Sequence, residues 1–575
     1  MKEIWKEIRK GADFQKIGQT FGIDPLIARI VRNRDMMSEE EIREYLYGDT
    51  SDFLSPWGLK DMQKAVDIIE QKVALGKKIR VIGDYDIDGV MSTYILLKGL
   101  RRIGAKVDTY IPDRVADGYG LHEKLVLCAA EDQIDTIVTC DNGIAAFQEI
   151  HLAKEKGMTV IVTDHHNVPF EIDGSDGNEK RKYRIPEADA VINPKQESCE
   201  YKNKSLCGAA VAWKLVLALY ERFRIPDQEA EDFIELAAFA TVGDIVDLVG
   251  ENRTIVREGL KRIPHTTNKG LRALMQVTNK MDGKITAYDI GFILGPCINA
   301  GGRLDTALRA LRLLDADSMH EAQRLAGDLK ALNDSRKAMT NLQENAAVKE
   351  VENSSLQMDK VLVLYLPDCH ESLAGLVASR IRERYYKPTI VLTRGGEMIK
   401  GSARSIEEYS IIDELTKCSS LLSKFGGHPM AAGMSLPEEN VEPLRRMLND
   451  YCSLSCEEMV PTVLIDAQLP MAYNTLERTR QMELLEPYGK GNRRPLFFAG
   501  NMRICRCDVS QRNEKVVNVI LESEDGNQFR LFYYGDSEEL LQIEREQRRI
   551  SVVYYPEINH YMGRESLQLR LRSFR

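Results

Sequence analysis

The sequence predicts an α/β protein built on a mainly parallel sheet, with a β-rich end to the chain. Three observations carry this. Short apolar runs alternate with helical stretches between about residues 77 and 250, several of those runs end in acidic or histidine-bearing loops, and after about residue 457 the runs become β-like and closely spaced. Strands buried on both faces of a parallel sheet read as short, nearly continuous apolar runs, and a series of short strands closing a chain suits a small barrel. At 575 residues the chain has room for several domains, and 43% hydrophobic with 29% charged residues is enough to bury sizeable cores.

Composition also narrows the function. A formal net charge of -10 argues against indiscriminate coating of nucleic acid but leaves room for a local basic groove. The start, Met1-Lys2-Glu3-Ile4-Trp5-Lys6, lacks the apolar centre of a signal peptide. No run approaches the roughly 18 apolar residues of a membrane span, so a cytoplasmic protein with no membrane contact is expected. The eleven scattered cysteines, an odd count, fit reduced thiols. Neither Cys505-Arg506-Cys507 nor the Cys452/Cys456 pair has zinc-site spacing.

Residues 1–76 read as a mostly helical lead-in without chemistry of its own. Ser38 is placed to cap a helix with Glu41 three positions on, and a second helix, holding residues 65–69, stops at Gly76. The strand candidates that follow are 80–82, 107–111, 136–139 and 158–163. What closes each run matters most. The first ends in Gly83-Asp84-Tyr85-Asp86-Ile87-Asp88-Gly89, the third in Cys140-Asp141-Asn142-Gly143, and the fourth in Asp164-His165-His166. Parallel strands bring their carboxyl ends to one edge, where ligands of α/β sheets bind. Asp84, Asp86, Asp141 and His165/His166 should therefore converge, and the helical stretch 235–244 delivers a further carboxylate, Asp244. Acidic turns are often only solvated loops. Carboxylates gathered with imidazoles at one sheet edge instead suit Mn²⁺ or Mg²⁺ with positions left open for substrate.

These residues resemble the DHH phosphoesterases. Asp84-Tyr85-Asp86-Ile87-Asp88-Gly89, Asp141-Asn142-Gly143, Asp164-His165-His166 and Val242-Gly243-Asp244 are similar to that superfamily's four ordered motifs. One branch, the RecJ single-strand-specific exonucleases, is resembled further. Its matches are Asp117-Gly118-Tyr119-Gly120-Leu121, Ile298-Asn299-Ala300-Gly301-Gly302-Arg303-Leu304 and Gly401-Ser402-Ala403-Arg404-Ser405. Gly426-Gly427-His428-Pro429-Met430-Ala431-Ala432-Gly433 and Tyr488-Gly489-Lys490-Gly491-Asn492 continue the series, in order over most of the chain.

The resemblance implies a helical lead-in (1–76), a DHH catalytic domain (77–315), a connecting helix (316–355), an α/β DHH-associated (DHHA1) domain (356–456) and an OB-fold β-barrel (457–575). The sequence agrees in its own terms. Residues 316–352 are rich in Ala, Leu and Lys, with no Pro and only Gly327. Residues 361–365 and 389–392 read as strands, as do 462–465, 516–521, 529–534 and 550–555 near the end.

Carried over residue by residue, the resemblance implies that Asp84, Asp86, Asp141, His165 and Asp244 hold two divalent ions, with Asp141 as a bridge. Asp88 sits in the motif as a loop organiser, and whether it touches metal stays open. Asp164 is expected to orient His165 from behind, leaving His166 to face substrate phosphate. Ser402, Arg404, Gly427 and His428 are expected on phosphate, with Arg303 as a 5′-phosphate anchor. Family members commonly carry a basic residue where Cys297 stands, so one phosphate contact is expected to be missing. Phe497-Phe498 and Phe532-Tyr533-Tyr534 are barrel core or base-stacking platforms. Residues 501–575 hold twelve Lys/Arg and twelve Asp/Glu, neutral within an acidic chain, which permits a binding groove. Residues 173–184 read as a flexible surface loop.

The expected function is a metal-dependent 5′→3′ exonuclease on single-stranded DNA, releasing 5′-mononucleotides in DNA repair and recombination. It is expected to be monomeric, with a single-strand-binding protein and a RecQ-type helicase as partners. The competing readings are a DHH phosphodiesterase for short oligonucleotides or cyclic dinucleotides, an inorganic pyrophosphatase, and a metal-free replication scaffold. Length and the barrel-like tail count against the first two, and the intact carboxylate and histidine set against the third.

Overall fold

In the computed structural model the described residues are 3–575 apart from 115–116, 119, 174–179, 397 and 562, so Tyr119 of the expected motif lies outside them. The first sheet has five strands in the spatial order Lys106–Tyr110, Lys78–Ile82, Thr136–Cys140, Thr159–Thr163, Ala190–Ile192. Every pairing in it is parallel. Alternate residues serve opposite faces, as the pleat requires. Val81, Val138 and Ile161 pack under helices Ile87–Arg102 and Gly208–Arg222, whereas Ile137, Val160 and Val162 meet helices Glu123–Glu131 and Phe147–Glu155. Both faces are thus dry, and the carboxyl ends share one edge. The strand Ala190–Ile192 was not anticipated: three residues are too few for any periodicity to register.

A 34-residue helix, Met319–Glu352, leads away from this domain, capped by Ser318, which accepts from the Glu321 N–H. Beyond it a second sheet runs in the order Lys424–His428, Ala431–Leu436, Met398–Arg404, Thr389–Gly395, Leu362–Tyr365. Only its last pair is parallel. Helix Glu371–Tyr385 fills the space between this sheet and the long helix, in a core shared by Val377, Ile381, Leu364 and Val348.

The last unit is a closed ring. Strands Phe497–Ser510, Asn513–Glu522, Gln528–Tyr534, Arg564–Phe574 and Arg549–Tyr561 pair in sequence, and the last returns to the first. Closure removes the free edges that a short sheet would otherwise expose. Of the aromatic runs, Phe497 lies in the barrel core beside Tyr554, Tyr533 packs edge-on to Phe574, and Tyr534 is exposed.

Two expectations are corrected here. The strand Thr462–Ile465 does not join the barrel; it pairs in parallel with Ile4–Glu7 at the other end of the chain. Nor are residues 1–76 a lead-in. Helices Pro25–Asn33 and Glu39–Tyr47 contribute Ile27, Ile30, Val31, Ile42 and Leu46 to the barrel-side core with Phe497, Val519 and Leu531. Helix Met62–Ala74, with Phe53, Leu54, Trp57 and Leu59 before it, belongs with the first sheet. Short amphipathic helices cannot bury their own apolar stripe, and a partner more than 400 positions away leaves no local pattern. The Ser38–Glu41 capping box is present as read. The expected loop 173–184 is flanked by an antiparallel ribbon, Phe170–Asp173 with Lys180–Tyr183, and its centre lies outside the described residues. No helix among the described residues is long and apolar enough to cross a membrane.

Asp466 holds the two chain ends together. Its side chain is fully buried and accepts from Arg34 Nη1 at 2.7 Å, Asn33 Nδ2 at 3.1 Å and the Leu496 N–H at 3.2 Å. Removing one partner of a buried pair leaves the other charge stranded, at about 3–5 kcal/mol. Asp466→Ala should therefore cost about that much in urea unfolding of the barrel unit, whereas Asp35→Ala, in an exposed pair with Lys10, should cost less than about 1 kcal/mol.

Candidate metal centre

Each functional side chain here owes its position to a strand end or a helix end. Asp84 follows Lys78–Ile82 after Gly83, and Asp86 caps the next helix, its Oδ1 accepting from the Asp88 and Gly89 N–H groups at 3.0 and 3.1 Å. Asp141 follows Thr136–Cys140 with φ at 60°, a left-handed conformation that Asp tolerates better than most residues. Asp164, His165 and His166 follow Thr159–Thr163, and Asp244 closes helix Ile234–Gly243.

The expected residues do converge. Three groups each offer ligand atoms within 4.8 Å of one another: Asp84, Asp86 and Asp141; Asp88, His165 and Asp244; and Asp141, His165 and His166. Asp141 and His165 each belong to two of them, so the groups adjoin one another. His165 Nε2 lies 3.0 Å from Asp141 Oδ1 and 3.9 Å from Asp244 Oδ2.

The electrostatics of the cluster favour a cation. Burial, then Asp86, raises the Asp84 carboxyl well above the usual range, and both its oxygens are buried with no side-chain donor among the described residues. Burial, then Asp88 and Asp86, does the same to Asp141. Asp244 is raised to about 8 by burial and then Asp88. Carboxylates gathered at this density repel unless protonated or neutralised by a cation. Burial, then His166, lowers His165 to about 3, so its imidazole is neutral and free to ligate. Hard oxygens with one or two imidazoles fit Mn²⁺ or Mg²⁺.

Around this cluster, Asp88 is fully buried, with its two oxygens accepting from Gly208 N–H at 2.6 Å and Ala209 N–H at 2.7 Å at the start of helix Gly208–Arg222. Helix starts favour a carboxylate in this way. Burial, then Asp86, raises Asp88 to about 6 despite those donors. Asp164 departs from expectation. Its Oδ1 meets the ring of His166 at Nδ1 (2.7 Å), and it touches His165 through the backbone N–H alone. The two rings lie side by side with centroids 4.4 Å apart, and the carboxylate meets a ring nitrogen of His166 alone. Burial would raise Asp164, but His166 outweighs it and holds the carboxyl at about 2. In return, Asp164 outweighs the burial of His166 and raises that imidazole to about 9, a cation at neutral pH.

Basic groups approach from the other side. Helix Gly295–Leu304 carries Asn299, whose Oδ1 accepts from the Ile87 N–H at 2.8 Å, and Arg303 one turn later. A Cβ on Gly302 would lie 2.2 Å from the Tyr85 carbonyl oxygen, so only glycine lets this helix reach the acidic loop. Arg303 donates to the Ser372 carbonyl at 3.0 Å, and burial, then Arg114 and Arg336, lowers it to about 10. Arg404 donates to its own strand at Ala403, and burial, then Arg382 and Arg114, lowers it too. Ser402 lines a cavity of about 250 Å³ with Tyr85, Arg114 and Ser372. Gly427, at φ 152°, could not carry a Cβ, which would fall 2.3 Å from the Ala431 oxygen. His428 is exposed, and partial burial, then the charges of His166 and Lys195, lowers its imidazole. Position 297 holds no charge: Cys297 is buried against Asn333, which also receives Arg336 at 2.6 Å.

Two basic residues escaped the sequence reading. Arg114 closes the strand Lys106–Tyr110, with its guanidinium 4.8 Å from the Tyr85 ring centre. The loop Pro112-Asp113-Arg114 at that strand's carboxyl end was the available signal. Lys195 follows the unforeseen strand Ala190–Ile192 and lies within electrostatic reach of Asp164 and Asp244.

Comparison with known proteins agrees with this geometry. Residues 78–241 match the DHH family N-terminal domain, 358–454 the DHHA1 domain and 465–573 the RecJ OB domain. The single-stranded-DNA-specific exonuclease RecJ of Bacillus subtilis is 34% identical over 577 residues, covering 99% of this chain and 70% of that protein. Its counterpart in Haemophilus influenzae is 32% identical, covering 96% of each chain. Among solved structures, RecJ of Thermus thermophilus in complex with Mn²⁺ superposes with a TM-score of 0.83 at 29% identity, over 100% of this chain and 79% of that one. The same protein with Mg²⁺ gives 0.78 at 27% identity, over 100% and 78%.

Chelation should expose the repulsion. With Asp88 at about 6 and Asp244 at about 8, against an ordinary 3.8, the folded metal-free chain binds more protons than the unfolded one between pH 4 and 8. This contribution to stability is complete below about pH 4 and is lost as pH rises through about 8. The melting temperature in EDTA should fall from pH 5 to pH 8, Mn²⁺ should restore it, and Asp244→Asn should flatten the upper part of the decline.

Proposed function

The chain belongs to the RecJ family of single-stranded-DNA-specific exonucleases, and from that premise we propose that it hydrolyses single-stranded DNA from the 5′ end, releasing 5′-mononucleotides with the help of two divalent ions, Mn²⁺ or Mg²⁺. The observation that carries the reading is the buried carboxylate and histidine cluster facing a cluster of guanidinium groups across one cleft. Asp84, Asp86, Asp141, His165 and Asp244 would hold the ions. Bound there, such a pair supplies a nucleophile from water at neutral pH and offsets charge on the attacking and leaving oxygens.

The protein's own residues do the rest. His166, protonated and braced by Asp164, presents a cation to a phosphate oxygen. Arg303, Arg114 and Arg404, with the Ser402 hydroxyl, suit the extra charge of a terminal 5′-phosphate, and anchoring that end sets the polarity. Asn299 and the Gly208 and Ala209 N–H groups fix the acidic loop, so the carboxylates are positioned before substrate arrives.

A path for the strand is available beside Asp244. A cavity of about 570 Å³ lies between residues 242–248 and 284–292 on one side and 486–494 on the other. Tyr288 and Phe292 are stacked there at 4.7 Å and are 64% and 65% exposed, flat surfaces suited to unpaired bases. Lys284, Lys490, Arg493 and Arg494 line the same cavity. The reading includes a monomer in the cytoplasm, acting with a single-strand-binding protein and a RecQ-type helicase.

The test follows 5′- and 3′-labelled oligonucleotides, single- and double-stranded, with Mn²⁺, Mg²⁺ or EDTA. Mononucleotides should appear from the 5′ end of single strands in metal alone, and Asp141→Ala should lower the rate at least about 100-fold. Hydrolysis of dinucleotides with long strands left intact would favour the small-substrate phosphodiesterase instead. Arg303→Ala should raise KM for 5′-phosphorylated strands about 10- to 100-fold, as loss of a charged hydrogen bond does. Removing the 5′-phosphate from the substrate should then add little to the defect.

A further inference from the structure

The stretch Tyr488-Gly489-Lys490-Gly491-Asn492 offers no ligand to the acidic cluster, yet it is fastened to the segment that carries Asp244. Gly489 and Asn492 pair as a tight hairpin, and Asn492 is buried. Its Nδ2 donates to the Leu485 and Pro487 carbonyls, and its Oδ1 accepts from the Tyr45 hydroxyl at 2.8 Å. From this rigid hairpin the Lys490 carbonyl accepts the Leu248 N–H at 2.8 Å. Gly489 packs so closely on Leu248 that a Cβ would lie 2.7 Å from its Cδ1.

Three residues lie between Asp244 and Leu248, and the backbone there is strained. Ile245 has φ at 57°, left-handed for a β-branched residue, and its side chain is exposed, so no packing of its own explains the conformation. Such a conformation persists where the surroundings over-determine it. On the helix side the turn is tied by Ile245 N–H to Val242 and Val246 N–H to Thr241. On the far side, helix Gly250–Arg262 carries Arg253, which is 2% exposed. Arg253 donates to the carbonyls of Tyr45, Leu485 and Leu484 at 3.0, 3.0 and 2.8 Å, a clamp onto the barrel unit built from carbonyls.

We propose that the 484–492 loop of the barrel unit positions Asp244, so that docking of the barrel completes the metal site. The proposal rests on Asp244 being a ligand. It makes the loop, with Arg253 and Leu248, a positioning device acting through the strained turn. The same loop and turn form opposite walls of the 570 Å³ cavity, so a strand held there presses on both.

The test uses the full-length chain without DNA and Mn²⁺ as the probe, followed by calorimetry or by the Mn²⁺ electron spin resonance signal. Gly489→Val should push the loop from Leu248 and weaken Mn²⁺ binding about 10- to 100-fold, the usual effect of losing a residue that orients a ligand. The far-ultraviolet circular dichroism spectrum should match that of the parent chain, which shows that the variant is folded. If Gly489→Val fails to fold, Gly491→Ala carries the test, since its Cβ would lie 3.1 Å from that of Asp247 at a φ of 74°. Asp244→Ala is the comparator. Unchanged Mn²⁺ binding in a folded loop variant, with binding lost in Asp244→Ala, overturns the loop's role. Full Mn²⁺ binding in Asp244→Ala overturns the ligand assignment, and the proposal with it.

Discussion

Buried negative charge at the carboxyl edge of one parallel sheet is the constraint from which most of the molecule follows. Asp84, Asp88, Asp141 and Asp244 are raised by burial and by one another, which means that the folded chain holds them together against their repulsion. A fold tolerates this only with a large dry support beneath it. The support is the five-stranded sheet with helices on both faces, and its core reaches from Val81 and Val138 to Trp213 and Phe239. Part of the charge is managed internally: Asp88 accepts from the N–H groups at the start of a helix, and Asp164 is paired with His166.

The second constraint is complementary. Guanidinium groups from three parts of the chain gather opposite the carboxylates: Arg114 from a strand end, Arg303 from a helix beside the acidic loop, and Arg404 from the second sheet. Burial lowers Arg303 and Arg404, so their crowding also carries a cost. Two clusters of opposite sign, each unfavourable alone, lie close to one another. The long helix Met319–Glu352 sets the spacing between the two units. Arg336 on that helix adds charge beside Arg303, near the position where Cys297 contributes none.

The barrel is less of an appendage than its place in the chain suggests. It shares a core with the first helices, is tied to them by Asp466, and reaches the catalytic unit through Arg253 and the Lys490 carbonyl. Chain ends, barrel and metal site therefore form one mechanical system, and a change at the barrel surface has a route to Asp244.

The apolar runs at 80–82, 136–139 and 158–163, each closed by Asp or His, were enough to place Asp84, Asp86, Asp141, His165 and His166 on one edge. Local patterning sets strand identity, and parallel pairing does the rest. The Ser38–Glu41 box and the connecting helix were legible for the same reason: their signals lie within a few residues. What could not be read depends on contacts between distant segments. The pairing of Ile4–Glu7 with Thr462–Ile465, the burial of the first helices under the barrel, and the approach of Arg114 and Lys195 leave no periodicity behind. Nor does sequence say which histidine Asp164 faces, because that turns on backbone direction over two residues. Short-range chemistry and its order along the chain were thus settled by sequence, whereas which charges meet, and what holds them there, was settled by packing across hundreds of residues.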